Sequence, residues 1–339
     1  MAEILGLGLS HYPPLNGQDD RMAGALNAVL RDPGLPEQYR TPGGWPEPMR
    51  REWGADEGLS AAREHRRKLV DEFRLLRRKL DDFKPDWVLV WGDDQYENFR
   101  EDIIPPYCTL AYDDMDVQPF GAKQMALFGD NVWGEPLDKA FRIPGARAQA
   151  KALTTGLIEQ GIDMAYAYKP LHLDGLPHPF INTCLFLDYD RKGWTYPLVS
   201  MQVNCYGRLV VSQHGGIPNL RKMPSAEQLD PPAPAPWRCF ELGRAVARVV
   251  QRMPGRVALV ASSSWSHAFL TAKNNFIYPD SEADALLFRA LQQHDWETWR
   301  SYPLSAIEAS GQQEVLNWHC LIGAMAELGH KADYTSLVQ

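Results

Sequence analysis

The sequence predicts an α/β fold with one layered domain over residues 1–339, in which helices flank both faces of a central mixed β-sheet. Short apolar runs alternate with amphipathic segments along the whole chain, as layered α/β folds require. No internal repeat of solenoid length interrupts that alternation. Polar residues follow several apolar runs, so we expect the functional site in a cleft at the strand ends.

The N-terminal half begins with a predicted strand at 4–9 that runs into a His-Tyr-Pro-Pro turn. Residues 14–58 are rich in Gly, Pro, Asp and Trp, with a short helical segment at 22–30. We therefore predict that this segment is a covering insertion rather than part of the core. Apolar residues at helical spacing predict a helix at 60–83, and the run DWVLVWG predicts a strand at 87–91.

The C-terminal half continues the alternation. Predicted helices lie at 146–160, 239–253, 281–293 and 312–328, and predicted strands at 195–203, 209–212 and 256–264. A Pro-rich segment at 231–238 is expected to be a stiff connection rather than a domain linker.

Composition excludes several classes of function. A net charge of −8 disfavours nucleic acid as a partner, and the basic stretch at 63–79 has a helical pattern. No run of about 18 apolar residues or signal-peptide pattern occurs, so we expect a cytoplasmic protein that does not bind membranes. The five cysteines are scattered without a CxxC pair, which argues against disulfides and structural zinc. Any metal must therefore use His and carboxylate ligands.

The candidates for chemistry are polar residues that mostly follow predicted strands: His11, Asp93, Asp94, Gln95, His178, His267 and Glu282. Each also has a structural explanation. A histidine beside a Pro turn is often structural, adjacent aspartates cap turns, and a glutamate in a helix's first turn is favoured by the helix dipole. The residue types alone leave both readings open.

Six segments, in this order, carry a family resemblance: GLSHYPPL, VLVWGDDQYENFREDIIPPY, LPHPFINTCLF, PAPWRCFELG, SSSWSHAF and SEADALLFRAL. Together they resemble the class III extradiol ring-cleavage dioxygenases of the protocatechuate 4,5-dioxygenase β-subunit type, over nearly the whole chain. The resemblance implies an oxidoreductase that opens a catechol-like aromatic substrate with O2. It also implies a mononuclear non-haem Fe(II) site with two His ligands and one Glu ligand, and a homodimer or larger homo-oligomer.

Carried over residue by residue, the resemblance assigns His11 as the first histidine ligand and Glu282 as the glutamate ligand. His267 matches a histidine that acts as acid or base beside the metal, and His178 matches a second catalytic histidine near the substrate. General acid–base groups of this kind are typically worth ~10²–10⁴ in rate.

The second histidine ligand is where this sequence departs from the family pattern, because Gln95 stands in its place. Either the Gln95 amide or the neighbouring Asp94 carboxylate is then expected to bind the metal. The departure leaves two further functions open: different, possibly hydrolytic chemistry with another divalent metal, and a non-catalytic family member.

An aromatic substrate would need an aromatic or apolar pocket. Trp265 lies close to His267 in the sequence and Tyr96 follows Gln95, so we predict that both line the substrate pocket.

Overall fold

Eight strands form two sheets in the computed structural model, which describes residues 1–24, 26–216, 220 and 222–339 and only the backbone of 122–124. The strands are β1 (Glu3–Leu9), β2 (Trp87–Gly92), β3 (Tyr107–Leu110), β4 (Met115–Val117), β5 (Phe141–Ile143), β6 (Ala165–Ala167), β7 (Leu198–Val203) and β8 (Arg256–Ser262). The central sheet has the order β1-β8-β2-β7-β3-β6, and β4 pairs with β5 separately. Within the central sheet, β3 and β7 are antiparallel and the other neighbours are parallel, which confirms the predicted mixed sheet.

Helices cover both faces of this sheet. The helices of the described part of the chain are α1 (Asp19–Gly24), α2 (Leu26–Leu30), α3 (Glu47–Trp53), α4 (Leu59–Phe83), α5 (Ala122–Phe128), α6 (Arg147–Glu159), α7 (His178–Leu187), α8 (Gly207–Ser212), α9 (Pro236–Gln251), α10 (Ser281–Gln293), α11 (Trp296–Ser301), α12 (Leu304–Ala309) and α13 (Leu316–Leu328). Within the described part of the chain, no helix is both long and apolar enough to cross a bilayer.

The central strand β2 shows why there are two helical layers. Its side chains alternate between the faces: Trp87, Leu89 and Trp91 join a core with α6, α9 and α13. Val88 and Val90 join a second core with α4 and α7. Since a buried parallel strand is apolar on both faces, it reads as a continuous hydrophobic run in the sequence.

Most predicted elements are confirmed, with small shifts at their ends. The predicted strand at 209–212 is wrong, because these residues belong to α8. Gly207, Val210 and Val211 are its buried positions, and this i, i+3, i+4 spacing is that of a helix. The predicted helix at 22–30 is two short helices, and residue 25 between them lies outside the described residues.

Two glycines let α9 and α13 cross at backbone contact. A Cβ atom at Gly243 would lie 1.8 Å from the carbonyl oxygen of Cys320, and one at Gly323 would lie 2.0 Å from that of Phe240. Both distances are far inside van der Waals contact, so only glycine permits this crossing. The position of α13 therefore depends on these two residues.

We expect Gly243→Ala to lower the free energy of unfolding by about 1–3 kcal/mol, because the added methyl group must push the helices apart. Gly24→Ala in α1 is the matched control, since its nearest neighbouring atom would be 3.9 Å away. Alanine there should leave stability unchanged or raise it by up to about 1 kcal/mol. Urea unfolding measures both, and equal effects at the two sites would contradict the close crossing.

Candidate metal centre

The candidate site lies where the parallel strands of the central sheet end. His11 follows β1, Asp93 directly follows β2, and His267 lies in the loop after β8. His178 is the first residue of α7, and Glu314 lies in the 3-10 turn Gln313–Val315 just before α13. Chain segments that are distant in sequence thus bring three imidazoles and two carboxylates to one edge of the sheet, as open α/β sheets usually do.

Glu314 lies at the middle of this group. Its Oε2 atom is 3.3 Å from Nε2 of His11, and its Oε1 atom is 3.1 Å from Nε2 of His267. The hydroxyl of Tyr206, between β7 and α8, also donates a hydrogen bond to Oε1. Since the Glu314 side chain is only 2% exposed, these groups replace water as its partners.

The charges in this cluster compensate one another. Burial alone would raise the pKa of the Glu314 carboxyl, but His267 and His11 hold it well below its usual range. Burial lowers the pKa of His11, but Glu314, Asp93 and Ser262 together more than offset it, and the pKa rises to about 9. The pKa of His267 is also raised, because Glu314 again outweighs burial. A metal ion that binds His11 must therefore displace a proton.

Asp93 is the second buried carboxyl group of the site. Its Oδ1 atom lies 3.9 Å from Nε2 of His11, and its side chain is fully buried. Burial, and then the neighbouring Glu314 carboxylate, raise the pKa of Asp93 to about 7. The imidazoles of His11 and His178 lower the pKa of Asp93 in turn, but by less than burial and Glu314 raise it.

The orientation of the His11 ring is fixed at Nδ1, the nitrogen that does not face the carboxylates. Nδ1 of its ring lies 3.1 Å from the hydroxyl oxygen of Ser262, and that hydroxyl donates to the carbonyl oxygen of Pro179 at 3.1 Å. Thr183 donates to the same hydroxyl oxygen at 2.6 Å. Because Nδ1 is occupied in this way, Nε2 is the ring nitrogen that faces the carboxylates.

His178 is held by a carboxylate of its own. One oxygen of Glu97 lies 2.7 Å from Nδ1 of His178 and accepts the backbone N–H of the same residue at 2.9 Å. The His178 ring then meets the His11 ring edge-on, with centroids 5.1 Å apart. A carboxylate–histidine pair of this kind fixes which ring nitrogen points into the site.

The residues present fit a divalent metal ion. His11, Asp93 and His178 each offer one ligand atom, and these atoms all lie within 4.8 Å of one another. Oδ2 of Asp93 is buried and makes no hydrogen bond to the described residues, and the buried Nε2 of His11 has only its ion pairs with Glu314 and Asp93. An unsatisfied buried acceptor is costly, and coordination of a cation would satisfy the Asp93 oxygen.

Three of the predicted site residues come together here, namely His11, His178 and His267, and their chemical roles stay predictions. Glu282 does not reach them, because its side chain is exposed on the surface of α10. The prediction that Glu282 is a metal ligand is therefore corrected: the glutamate beside His11 is Glu314.

Asp94 and Gln95, the two residues predicted to replace the missing histidine, both make hydrogen bonds to the backbone of neighbouring loops. Both oxygens of Asp94 accept backbone N–H groups, from Glu97 at 2.8 Å and from Asn98 at 3.0 Å. The amide of Gln95 donates to the carbonyl oxygen of Gly215 at 2.7 Å. Asp94 thus serves as a turn cap and Gln95 as a link between loops.

The two aromatic residues predicted for the pocket differ in their positions. Trp265 lines the cavity beside the site and packs edge-on against Trp318, with ring centroids 5.4 Å apart. Tyr96 instead stacks on His214, with centroids 5.0 Å apart, and hydrogen-bonds Glu101.

A cavity of about 2120 Å³ opens from the centre and extends to the edge strand β1. His178, His267 and Glu314 line one end of it, and Met22, Met49 and Trp53 from the segment 14–58 line another part. This volume exceeds that of usual small-molecule pockets, which hold roughly 300–1,000 Å³. The part lined by His178, His267 and Glu314 is the one next to His11 and Asp93.

Sequence reasoning missed Glu314 and did not assign Asp93 a role. One signal was present for Glu314: in GQQEVLNWHCLIGAM it is the only charged residue of a long run. A lone charge in a buried segment is rarely tolerated without a partner or a function.

Comparison with known proteins supports the resemblance. A family model described as the catalytic LigB subunit of aromatic ring-opening dioxygenase matches residues 55–338. Two relatives are named 2,3-dihydroxyphenylpropionate/2,3-dihydroxicinnamic acid 1,2-dioxygenase. The one from Photorhabdus laumondii is 23% identical over 195 residues, which cover 58% of this chain and 47% of the relative. The one from Burkholderia vietnamiensis is 27% identical over 196 residues, 57% of this chain and 47% of the relative. The matched region thus spans about half the length of these relatives.

Tyr206→Phe should lower the free energy of unfolding by about 1.5–3 kcal/mol, because it removes a buried hydrogen bond to a charged carboxylate. Tyr166→Phe is the control, since Tyr166 is 54% exposed and loses the same hydroxyl group in water. Urea unfolding at neutral pH compares the two variants. Equal stabilities would show that the Tyr206 hydroxyl does not support Glu314.

Proposed function

We propose that this protein, which belongs to the family of catalytic LigB subunits of aromatic ring-opening dioxygenases, opens a catechol-like ring with dioxygen at a mononuclear Fe(II) centre. In this extradiol reaction, the ring bond beside the pair of hydroxylated carbons breaks and both oxygen atoms of O2 enter the product. The observation that carries the proposal is the buried Glu314 carboxylate between two imidazoles at the end of a cavity.

His11 and Glu314 are the residues that would hold the metal. Bound Fe(II) would supply Lewis acidity toward the substrate hydroxyl groups and electrons for dioxygen. The chain itself must supply orientation and proton transfer. Ser262 orients the imidazole of His11, and Tyr206 orients the carboxylate of Glu314.

Two histidines are placed to move protons. Glu97 accepts a hydrogen bond at Nδ1 of His178, which leaves Nε2 free to take the proton of a substrate hydroxyl. His267 lies on the other side of Glu314, with Nε2 3.1 Å from the carboxylate, and serves as a proton donor there. The two imidazoles are thus held by different carboxylates, so each has its own charge partner.

Several apolar side chains of the segment 14–58 line the cavity, and this supports the predicted covering role of the segment. A lid of this kind would keep water away from the reacting groups. The two named relatives act on dihydroxyphenyl rings that carry a carboxylate side chain, so carboxylated catechols belong among the first substrates to test. Assembly as a homodimer or larger and a cytoplasmic location stay predictions from the sequence.

The first test is oxygen uptake after anaerobic reconstitution with Fe(II), with catechols, carboxylated catechols, aminophenols and trihydroxybenzoates as substrates. We expect uptake equal to substrate consumed and a ring-opened chromophore. Glu314→Gln should abolish both because it removes a charged ligand, and His178→Ala and His267→Ala should each lower the rate by ~10²–10⁴.

Glu282→Gln is the matched control, because it makes the same chemical change at an exposed glutamate and should leave the rate unchanged. Activity that survives in Glu314→Gln but is lost in Glu282→Gln would contradict the site. Bound metal without oxygen uptake on any substrate would instead favour different, possibly hydrolytic chemistry, and a protein that binds no metal would favour a non-catalytic role.

A further inference from the structure

The missing second histidine raises the question of what replaces it. Gln95 occupies its place in the sequence, but the amide nitrogen of Gln95 donates to the Gly215 carbonyl oxygen at 2.7 Å. Its side chain is partly exposed, unlike the buried residues of the centre. An amide oxygen is also a weaker metal ligand than imidazole or carboxylate, so Gln95 is a poor replacement in both position and chemistry.

Asp94 is excluded by its hydrogen bonds. Its Oδ1 atom accepts the backbone N–H of Glu97 at 2.8 Å, and its Oδ2 atom accepts that of Asn98 at 3.0 Å. The carboxylate thereby caps the turn that follows β2. Turning it toward His11 would break these bonds and leave buried N–H groups without partners.

Asp93 has the opposite properties. It is fully buried, and its Oδ2 atom makes no hydrogen bond to the described residues. Its Oδ1 atom lies 3.9 Å from Nε2 of His11 and has one long contact, of 3.5 Å, with the amide nitrogen of Asn317. A buried carboxylate with so few partners is costly unless a cation compensates it.

We propose that Asp93 is a metal ligand in this protein and takes the place of the missing histidine, so that one imidazole and two carboxylates, from His11, Asp93 and Glu314, hold the ion. The inference rests on the proposed function for the presence of a metal. It goes beyond that function in its ligand set, which differs from the two histidines and one glutamate implied by the resemblance.

Asp93 lies beside His11 whether the remaining ligand is Glu314 or His178. His11, Asp93 and His178 have ligand atoms within 4.8 Å of one another, and Glu314 is 3.3 Å from His11. His178 keeps the proton-transfer role proposed for it above, and Glu97 orients its ring. The second carboxylate gives the site a harder, more anionic donor set, which favours ions such as Mn(II) and Fe(II) over softer ones.

The test measures metal binding without turnover. The full-length protein is stripped with a chelator and titrated with Co(II), with absorption spectroscopy and calorimetry as readouts. We expect Asp93→Asn to weaken Co(II) binding by about 100-fold or more, above the roughly 10–100-fold typical of an outer-sphere partner. Gln95→Ala is the control and should bind Co(II) within a few-fold of the wild type.

Thermal unfolding with and without Co(II) gives a second readout. Co(II) should raise the melting temperature of the wild type and of Gln95→Ala, and raise that of Asp93→Asn much less at the same Co(II) concentration, because stabilisation by a bound ion falls as its dissociation constant rises. Without Co(II), Asp93→Asn should melt at or above the wild-type temperature, since a neutral amide of the same shape replaces a poorly compensated carboxylate.

Several results would overturn the proposal: wild-type affinity for Co(II) in Asp93→Asn, an equal loss in Gln95→Ala, no binding to the wild type, or an unfolded Asp93→Asn variant. The proposed function fails on a separate measurement, oxygen uptake with Fe(II). If the protein binds Co(II) through Asp93 but opens no ring, the ligand proposal stands and the proposed function is wrong. If Asp93→Asn binds metal with normal affinity and the protein opens the ring, the proposed function stands and the ligand proposal is wrong.

Discussion

The candidate centre depends on the parallel pairing of β1, β8 and β2, which sets where each chain segment leaves the sheet. In that register Leu9 lies beside Ser262, and Trp91 lies beside Ala261. The three strands therefore end at nearly the same level, and the residues just beyond them share one edge. A slip of one residue would move the side chains of a strand to its opposite face, so the buried apolar faces of the strands also hold the site in register.

The buried charges connect this site to the helical layer above it. Burying a carboxylate is costly. Removing one partner of a buried ion pair therefore lowers stability by more than the intact pair adds, because the other charge stays buried without compensation. Glu314 is therefore stabilised only while its imidazole partners stay in place. It immediately precedes α13, whose position depends on the close crossing at Gly243 and Gly323. The packing of α13 against α9 therefore helps to position the Glu314 carboxylate beside its imidazole partners.

Two glutamates show how far the sequence alone could lead. Glu282 and Glu314 both lie near the start of a helix, where an acidic residue is favoured by the helix dipole. Their difference is tertiary: the first turn of α10 carries Glu282 on the surface, and the turn before α13 is buried. The position of His11 was predictable because it lies two residues after an apolar strand. Local pattern identifies a strand end well, but it does not show which helix start faces the core.

The three consecutive residues Asp93, Asp94 and Gln95 also show that local sequence does not reveal which side chain faces the site. A resemblance in sequence transfers a role only if the backbone follows the same path, and here the chain turns sharply after β2. Asp94 binds the N–H groups of the next turn, and Tyr96 adopts a left-handed conformation with a φ of 57°. The alternation of the strand therefore does not continue through these residues. With Asp94 turned back onto the backbone and Gln95 turned toward Gly215, Asp93 is the member of the run that faces His11.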